Sequence, residues 1–82
     1  MATRAQANDV LRKHAERLRR RGAHALATPA GKAFGVRGYV IEAYVTPDFT
    51  GTLPAKASAT VRGKTVDVPI RVTKQRPFKP EM

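Results

Sequence analysis

The chain has 82 residues and a mass of 9.0 kDa, which fits one small domain with a single core. Sixteen lysines and arginines oppose six aspartates and glutamates, so the formal net charge is +10. The absence of cysteine excludes disulfides, thiolate zinc sites and cysteine nucleophiles. No apolar run approaches the roughly 18 residues of a membrane span, and the N-terminus lacks the apolar core of a signal peptide. We therefore expect a folded, basic, cytoplasmic protein with a thin core.

Residues 4–21 are predicted to form an amphipathic helix. Thr3 followed by Gln6 has the spacing of a capping box, and Gly22 suits the left-handed residue that closes a helix. The predicted apolar side of this helix contains Ala7, Val10, Leu11, His14, Ala15 and Leu18. Because such a helix is only weakly stable alone, we expect its apolar side to pack on another element.

Four strands are predicted after the helix, at about residues 23–28, 33–46, 57–62 and 65–73. Apolar and polar residues alternate most clearly from Tyr39 to Thr46. Gly63 lies between two β-rich runs and predicts a hairpin. Pro69 has no N–H group, so its strand is predicted to be an edge strand or to break there. Residues 74–82 are predicted to form an extended tail.

These elements predict one α+β domain over residues 1–73, with no second domain. We expect one N-terminal amphipathic helix packed on a small, mostly antiparallel sheet of about four strands. The sheet residues predicted to contact the apolar side of the helix are Ile41, Val45, Val66, Val68 and Ile70. The thin core also allows a homodimer that pairs helices or sheet edges.

The order of motifs resembles a small bacterial α+β domain found alone or near the N-terminus of some trypsin-like proteases. The resemblance covers about residues 10–73 and depends on Val40–Val45, Leu53-Pro54, Gly63 and Val66–Val72. The chain departs from that family at residues 24–28, where glycine-valine repeats are expected, and in the more basic helix. In that family the domain precedes the protease unit and supplies no catalytic residue. The resemblance therefore implies an accessory or interaction unit.

The densest charge lies on the predicted helix, and its candidate binding residues are Arg12, Lys13, Arg17, Arg19, Arg20 and Arg21. One interpretation is a solvated helix face whose arginines complement the helix dipole. The other is a cationic surface that binds an acidic protein or a nucleic acid. Our leading hypothesis is a small non-catalytic interaction module that engages an acidic protein partner. The alternative is sequence-independent nucleic-acid binding through the arginine-rich helix.

Other function classes have little support in the sequence. The five aromatic residues form no predicted stacking platform, although Tyr44 near Arg37 and Arg71 is a candidate stacking contact. The two histidines, His14 and His24, and six scattered carboxylates form no catalytic or metal-binding motif. We therefore predict no enzyme activity, no cofactor and no metal. A membrane surface is also disfavoured, because the core needs the few large apolar residues of the helix.

Overall fold

The computed structural model describes residues 2–76 and has the α+β architecture that the sequence predicts. One helix packs on a four-stranded sheet, and a short 3₁₀ helix lies between the first two strands. The elements are α1 (Arg4–Arg20), β1 (Ala25–Ala27), the 3₁₀ helix (Gly31–Phe34), β2 (Ile41–Val45), β3 (Lys56–Val61) and β4 (Lys64–Lys74). The predicted tail from residue 74 falls mostly outside the described residues, and Lys74 itself belongs to β4.

The sheet is mixed, and its strand order is β1-β2-β4-β3. β1 pairs with β2 and β3 pairs with β4 in antiparallel fashion, whereas β2 and β4 are parallel. After β2 the chain crosses the sheet and returns as the β3–β4 hairpin. The carboxyl ends of α1 and β4 lie at the same end of the molecule. The evidence is a hydrogen bond of 2.7 Å from His24 Nε2, just after α1, to the carbonyl of Gln75, just after β4.

The helix begins and packs as its sequence predicts. The amide of Gln6 donates to Thr3 Oγ1 at 3.1 Å, and the amide of Thr3 donates to Gln6 Oε1 at 3.0 Å. This reciprocal pair satisfies two amides that the helix leaves without a carbonyl partner. Gly22 follows the helix with φ +123°, a conformation that side chains with a Cβ rarely adopt.

The core lies between the apolar side of α1 and one face of the sheet. Its largest fully buried side chains are Leu18, Ile41, Val10, Val40, Val45 and Val68. The predicted contacts of the helix with Ile41, Val66, Val68 and Ile70 are confirmed, since these residues share one cluster with Val10 and Leu18. The fifth predicted residue, Val45, is buried but does not belong to that cluster. Leu11, Leu26 and Leu53 pack around this cluster. The aliphatic side of the helix is therefore inside the molecule.

The predicted strand over residues 33–46 is much shorter in the structure. Its first part forms the 3₁₀ helix and a loop, and only Ile41–Val45 pairs as a strand. The loop closes on Gly31, whose amide donates to Gly38 O at 2.7 Å and whose carbonyl accepts from Val36 N at 2.9 Å. A Cβ at Gly31 would stand 2.7 Å from the carbonyl oxygen of Val36, so the turn requires glycine.

The prediction that Pro69 marks an edge strand or a strand break is wrong. Pro69 lies within the continuous strand β4, which is between β2 and β3. Successive amides of a strand point to opposite sides: that of Ile70 donates to Ala55 O and that of Gln75 to Val45 O. The missing N–H of Pro69 therefore faces β2, one residue before the β2 ladder begins at Ile41 and Ile70. Proline is tolerated there because no ladder bond is lost.

Candidate cationic interface

Four arginines surround the C-terminal end of α1. We call Arg17, Arg19, Arg20 and Arg21 the arginine cluster; all four are exposed. Arg17, Arg19 and Arg20 lie in the last turn, where their positive charge complements the partial negative charge of the helix terminus. Helical spacing puts Arg17, Arg20 and Arg21 on one side of the helix and Arg19 on the other. The cluster therefore encloses the end of the helix.

Two of the candidate arginines are engaged in ion pairs along the helix surface. Arg12 contacts Asp9 at 2.9 Å, and Arg20 contacts Glu16 at 2.7 Å. The side chains of Arg12 and Arg20 remain 79% and 78% exposed, so neither pair is internal. Exposed pairs of this kind contribute about 0–1 kcal/mol to stability and are easily exchanged. Both guanidinium groups therefore remain at the surface.

The side chain of Lys13 forms a hydrogen bond with the sheet. Its Nζ donates to Thr60 O at 2.7 Å, and the neighbouring His14 Nε2 donates to Ser58 O at 2.9 Å. Both acceptors are carbonyls of β3 that the β3–β4 ladder leaves on the outer side of the sheet. The two side chains therefore cover the outer edge of β3. Lys13 is exposed but bonds within the fold, and His14 contacts the sheet, as a packed side chain would.

Three arginines of the cluster have no such partner. Within residues 2–76, Arg17, Arg19 and Arg21 make no ion pair and no side-chain hydrogen bond. Their guanidinium groups are planar forks of donors that match carboxylates and phosphates. Three guanidinium groups at one end of the molecule therefore have no ion-pair or hydrogen-bond partner within residues 2–76.

The open face of the sheet carries a polar network that the sequence did not predict. Tyr44 Oη donates to Glu42 Oε1 at 2.6 Å, and Thr73 Oγ1 donates to Glu42 Oε2 at 2.7 Å. The hydrogen bond to Glu42, aided by burial and by the carboxylate charge, raises the pKa of Tyr44 above its ordinary value. Tyr44 is therefore held on Glu42. The spacing of Glu42 and Tyr44 puts them on one face, but Thr73 joins them only through the parallel register of β2 and β4.

Two further polar features lie outside the helix. Ser58 Oγ donates to Asp67 Oδ1, while His14 bonds the carbonyl of Ser58 and not its hydroxyl. A surface depression of about 430 Å³ beside the 3₁₀ helix is lined by Lys32, Val36 and Arg37 together with Ala30, Gly35 and Gly38. In residues 2–76, no three histidine or carboxylate side chains come together as metal ligands. The one helix over this range is too short and too polar to cross a membrane.

Comparison with known proteins gave no match among family models, curated proteins or solved structures. The resemblance to the protease-associated bacterial domain therefore stays a prediction from the sequence.

Proposed function

We propose that this chain is a small non-catalytic interaction module that binds an acidic protein partner through the arginine cluster. The observation that carries the proposal is the set of three exposed guanidinium groups, on Arg17, Arg19 and Arg21, without a partner in the described chain. Glu16, which lies one turn before Arg20 on α1, pairs with Arg20 and not with these three arginines. Carboxylates of a partner would find charge and bidentate geometry together at this end.

An acidic protein fits the surface better than a nucleic acid does. Single-stranded nucleic acids are bound largely by stacking on aromatic side chains. Tyr44 is bound to Glu42 on the sheet, and the ring of Phe49 lies against Gly22. The unpaired arginines are confined to the end of α1, and charge confined to one end of the molecule fits an acidic segment of a protein.

The proposal is tested by binding of a fluorescently labelled polyglutamate peptide and of a labelled duplex DNA, measured by anisotropy at two salt concentrations. The test variant carries Arg17→Gln, Arg19→Gln and Arg21→Gln. The matched control carries Arg4→Gln, Lys32→Gln and Arg37→Gln, which removes the same charge from exposed positions at the other end of the molecule. We expect the test variant to lose about tenfold in affinity for polyglutamate and the control less than about threefold.

Each other result has a defined meaning. Equal losses in the two variants would show that net charge alone drives binding and would contradict a localised site. Tighter binding of DNA than of polyglutamate, with a salt dependence that shrinks in the test variant, would favour the nucleic-acid alternative. If the wild-type chain binds neither ligand at physiological salt, the arginines only solvate the helix and the proposal is wrong.

A further inference from the structure

One side of the second half of β4 has no neighbouring strand. The β3–β4 ladder ends at the pair Lys56 and Pro69, and the last bond on that side joins Ile70 N to Ala55 O at 2.9 Å. By the alternation of the strand, the N–H and C=O groups of Val72 and Lys74 point to this same side. They have no backbone partner within residues 2–76. We call this side of residues 71–74 the open edge.

The other two edges of the sheet are less available to an added strand. Lys13 and His14 cover the outer carbonyls of β3 through Thr60 and Ser58. β1 is only three residues long, which limits the hydrogen bonds that its outer edge can offer. Short strands and covered edges are common ways in which proteins prevent uncontrolled pairing. The open edge belongs to the longest strand of the described chain, the 11-residue β4, and its exposed residues are Val72 and Lys74.

The open edge combines an apolar side chain with positive charge. Val72 is 46% exposed and is the large apolar residue that the described chain leaves in solvent. Lys74 is exposed beside it, and Arg71 and Lys56 lie on the opposite face of the sheet near the start of the edge. Glu42, the register neighbour of Arg71, has its two oxygens occupied by hydroxyl donors and lies towards β2. Arg71 Nη1 donates to Ile70 O at 3.2 Å at the start of the edge, whereas Lys74 makes no side-chain hydrogen bond or ion pair within residues 2–76. The charge of Lys74 is therefore available to a carboxylate.

We propose that the open edge binds an extended acidic segment of the partner by β-strand addition. The added strand bonds the backbone of Val72 and Lys74, places an aliphatic side chain beside Val72, and directs a carboxylate on the same face to Lys74. A second copy of this chain is a poor occupant, because it would bring another net charge of +10 to a basic edge. The inference rests on the proposed function, since it gives the acidic partner a conformation and a second point of contact.

The position of the open edge supports a single partner on both surfaces. The arginine cluster ends α1, and His24, four residues after Arg20, bonds Gln75 O at the end of β4. A segment that adds to β4 therefore leaves the sheet at the end of the molecule where the arginine cluster lies. The two contacts are separable by mutation, because one uses backbone groups and the other uses guanidinium groups.

The test uses the full chain and a labelled nine-residue peptide with valine at its centre and alternate glutamates. Val72→Pro removes an N–H that the ladder to β2 does not use, and Val72→Thr is the matched control that keeps it. A second peptide of equal charge, N-methylated at alternate residues, cannot form the backbone bonds. We expect Val72→Pro and the methylated peptide each to lower affinity at least about tenfold, and Val72→Thr less than about threefold. Hydrogen exchange of the Val72 and Lys74 amides in the wild-type chain should slow when the peptide binds.

The results separate this inference from the proposed function. If the methylated peptide and Val72→Pro bind like their controls while the triple arginine variant loses binding, the edge is not used and the proposed function stands. If Val72→Pro fails to fold, the methylated peptide and the amide exchange still decide. Protection of the Val72 amide that rises with protein concentration, without peptide, would show a second copy on the edge and overturn the inference. If no acidic ligand binds to the wild type, both proposals fail.

Discussion

Arg62 is held in a conformation that suits other residues better. Its φ is +51°, and among the described residues it alone has a positive φ without being glycine. Gly63 follows with φ +77°. These two residues connect β3 and β4, where a two-residue hairpin needs positive φ at both positions. The left-handed region costs an ordinary residue roughly 1–2 kcal/mol, and asparagine tolerates it best among residues with a Cβ. The strain at Arg62 is local and has no compensating hydrogen bond within residues 2–76.

Arg62→Asn is therefore expected to stabilise the fold by about 0.5–1 kcal/mol, since it retains the turn and relieves part of the strain. Urea unfolding followed by circular dichroism measures the change in free energy. Arg62→Ala is the control, because it removes the same charge and leaves the backbone strain in place. An equal gain in Arg62→Ala would assign the effect to charge and contradict the conformational explanation.

The helix depends on contacts that lie close together in the sequence. The capping box joins Thr3 and Gln6, so Thr3→Ala exposes the Gln6 amide and is expected to cost about 1 kcal/mol. Thr3→Ser keeps the hydroxyl and should cost much less. Far-ultraviolet circular dichroism and urea unfolding measure both variants. Equal stability of the alanine and serine variants would show that the first turn of α1 does not need its cap.

Such local contacts explain which elements the sequence could predict. The helix, its cap and the turn at Gly63 depend on residues a few positions apart, and the structure confirms them. The parallel pairing of β2 with β4 joins Ile41 to Ile70, and no local pattern encodes that register. Pro69 was misplaced for the same reason: its missing donor excludes a central strand only where a neighbour pairs at that residue.

The candidate site shows the same division at the scale of the whole molecule. The sequence gives the number of arginines and their helical spacing, which locate the arginine cluster. It does not give the partner of Lys13, because Thr60 is 47 residues away in the chain. The open edge depends on where β3 stops along β4, a property of the register. The positions of the exposed charges on the helix could therefore be predicted from the sequence. That Lys13 bonds β3, and that Val72 lies on an unpaired strand edge, could be learned only from the structure.

The excess charge of the molecule should also control its stability. The net charge is +10 after all six carboxylates are counted, and the ion pairs within the described residues are the exposed Arg12–Asp9 and Arg20–Glu16 pairs. Like charges on a small body repel each other more when the chain is compact, and salt screens this repulsion over about 10 Å at 0.1 M. Sodium chloride should therefore raise the Tm, and a gain of about 1 kcal/mol corresponds to about 4–8 °C for a domain of this size.

Differential scanning fluorimetry across a salt series measures this effect, and a variant with Arg17→Glu, Arg19→Glu and Arg21→Glu provides the comparison. Each substitution changes the charge by two, so the net charge falls from +10 to +4. The variant should have the higher Tm at low salt and a smaller rise with added salt, because less repulsion remains to be screened. A Tm that falls with salt in the wild type would mean that the two surface ion pairs outweigh the repulsion of the unpaired arginines. That outcome would also weaken the case that the arginine cluster is held unpaired for a partner.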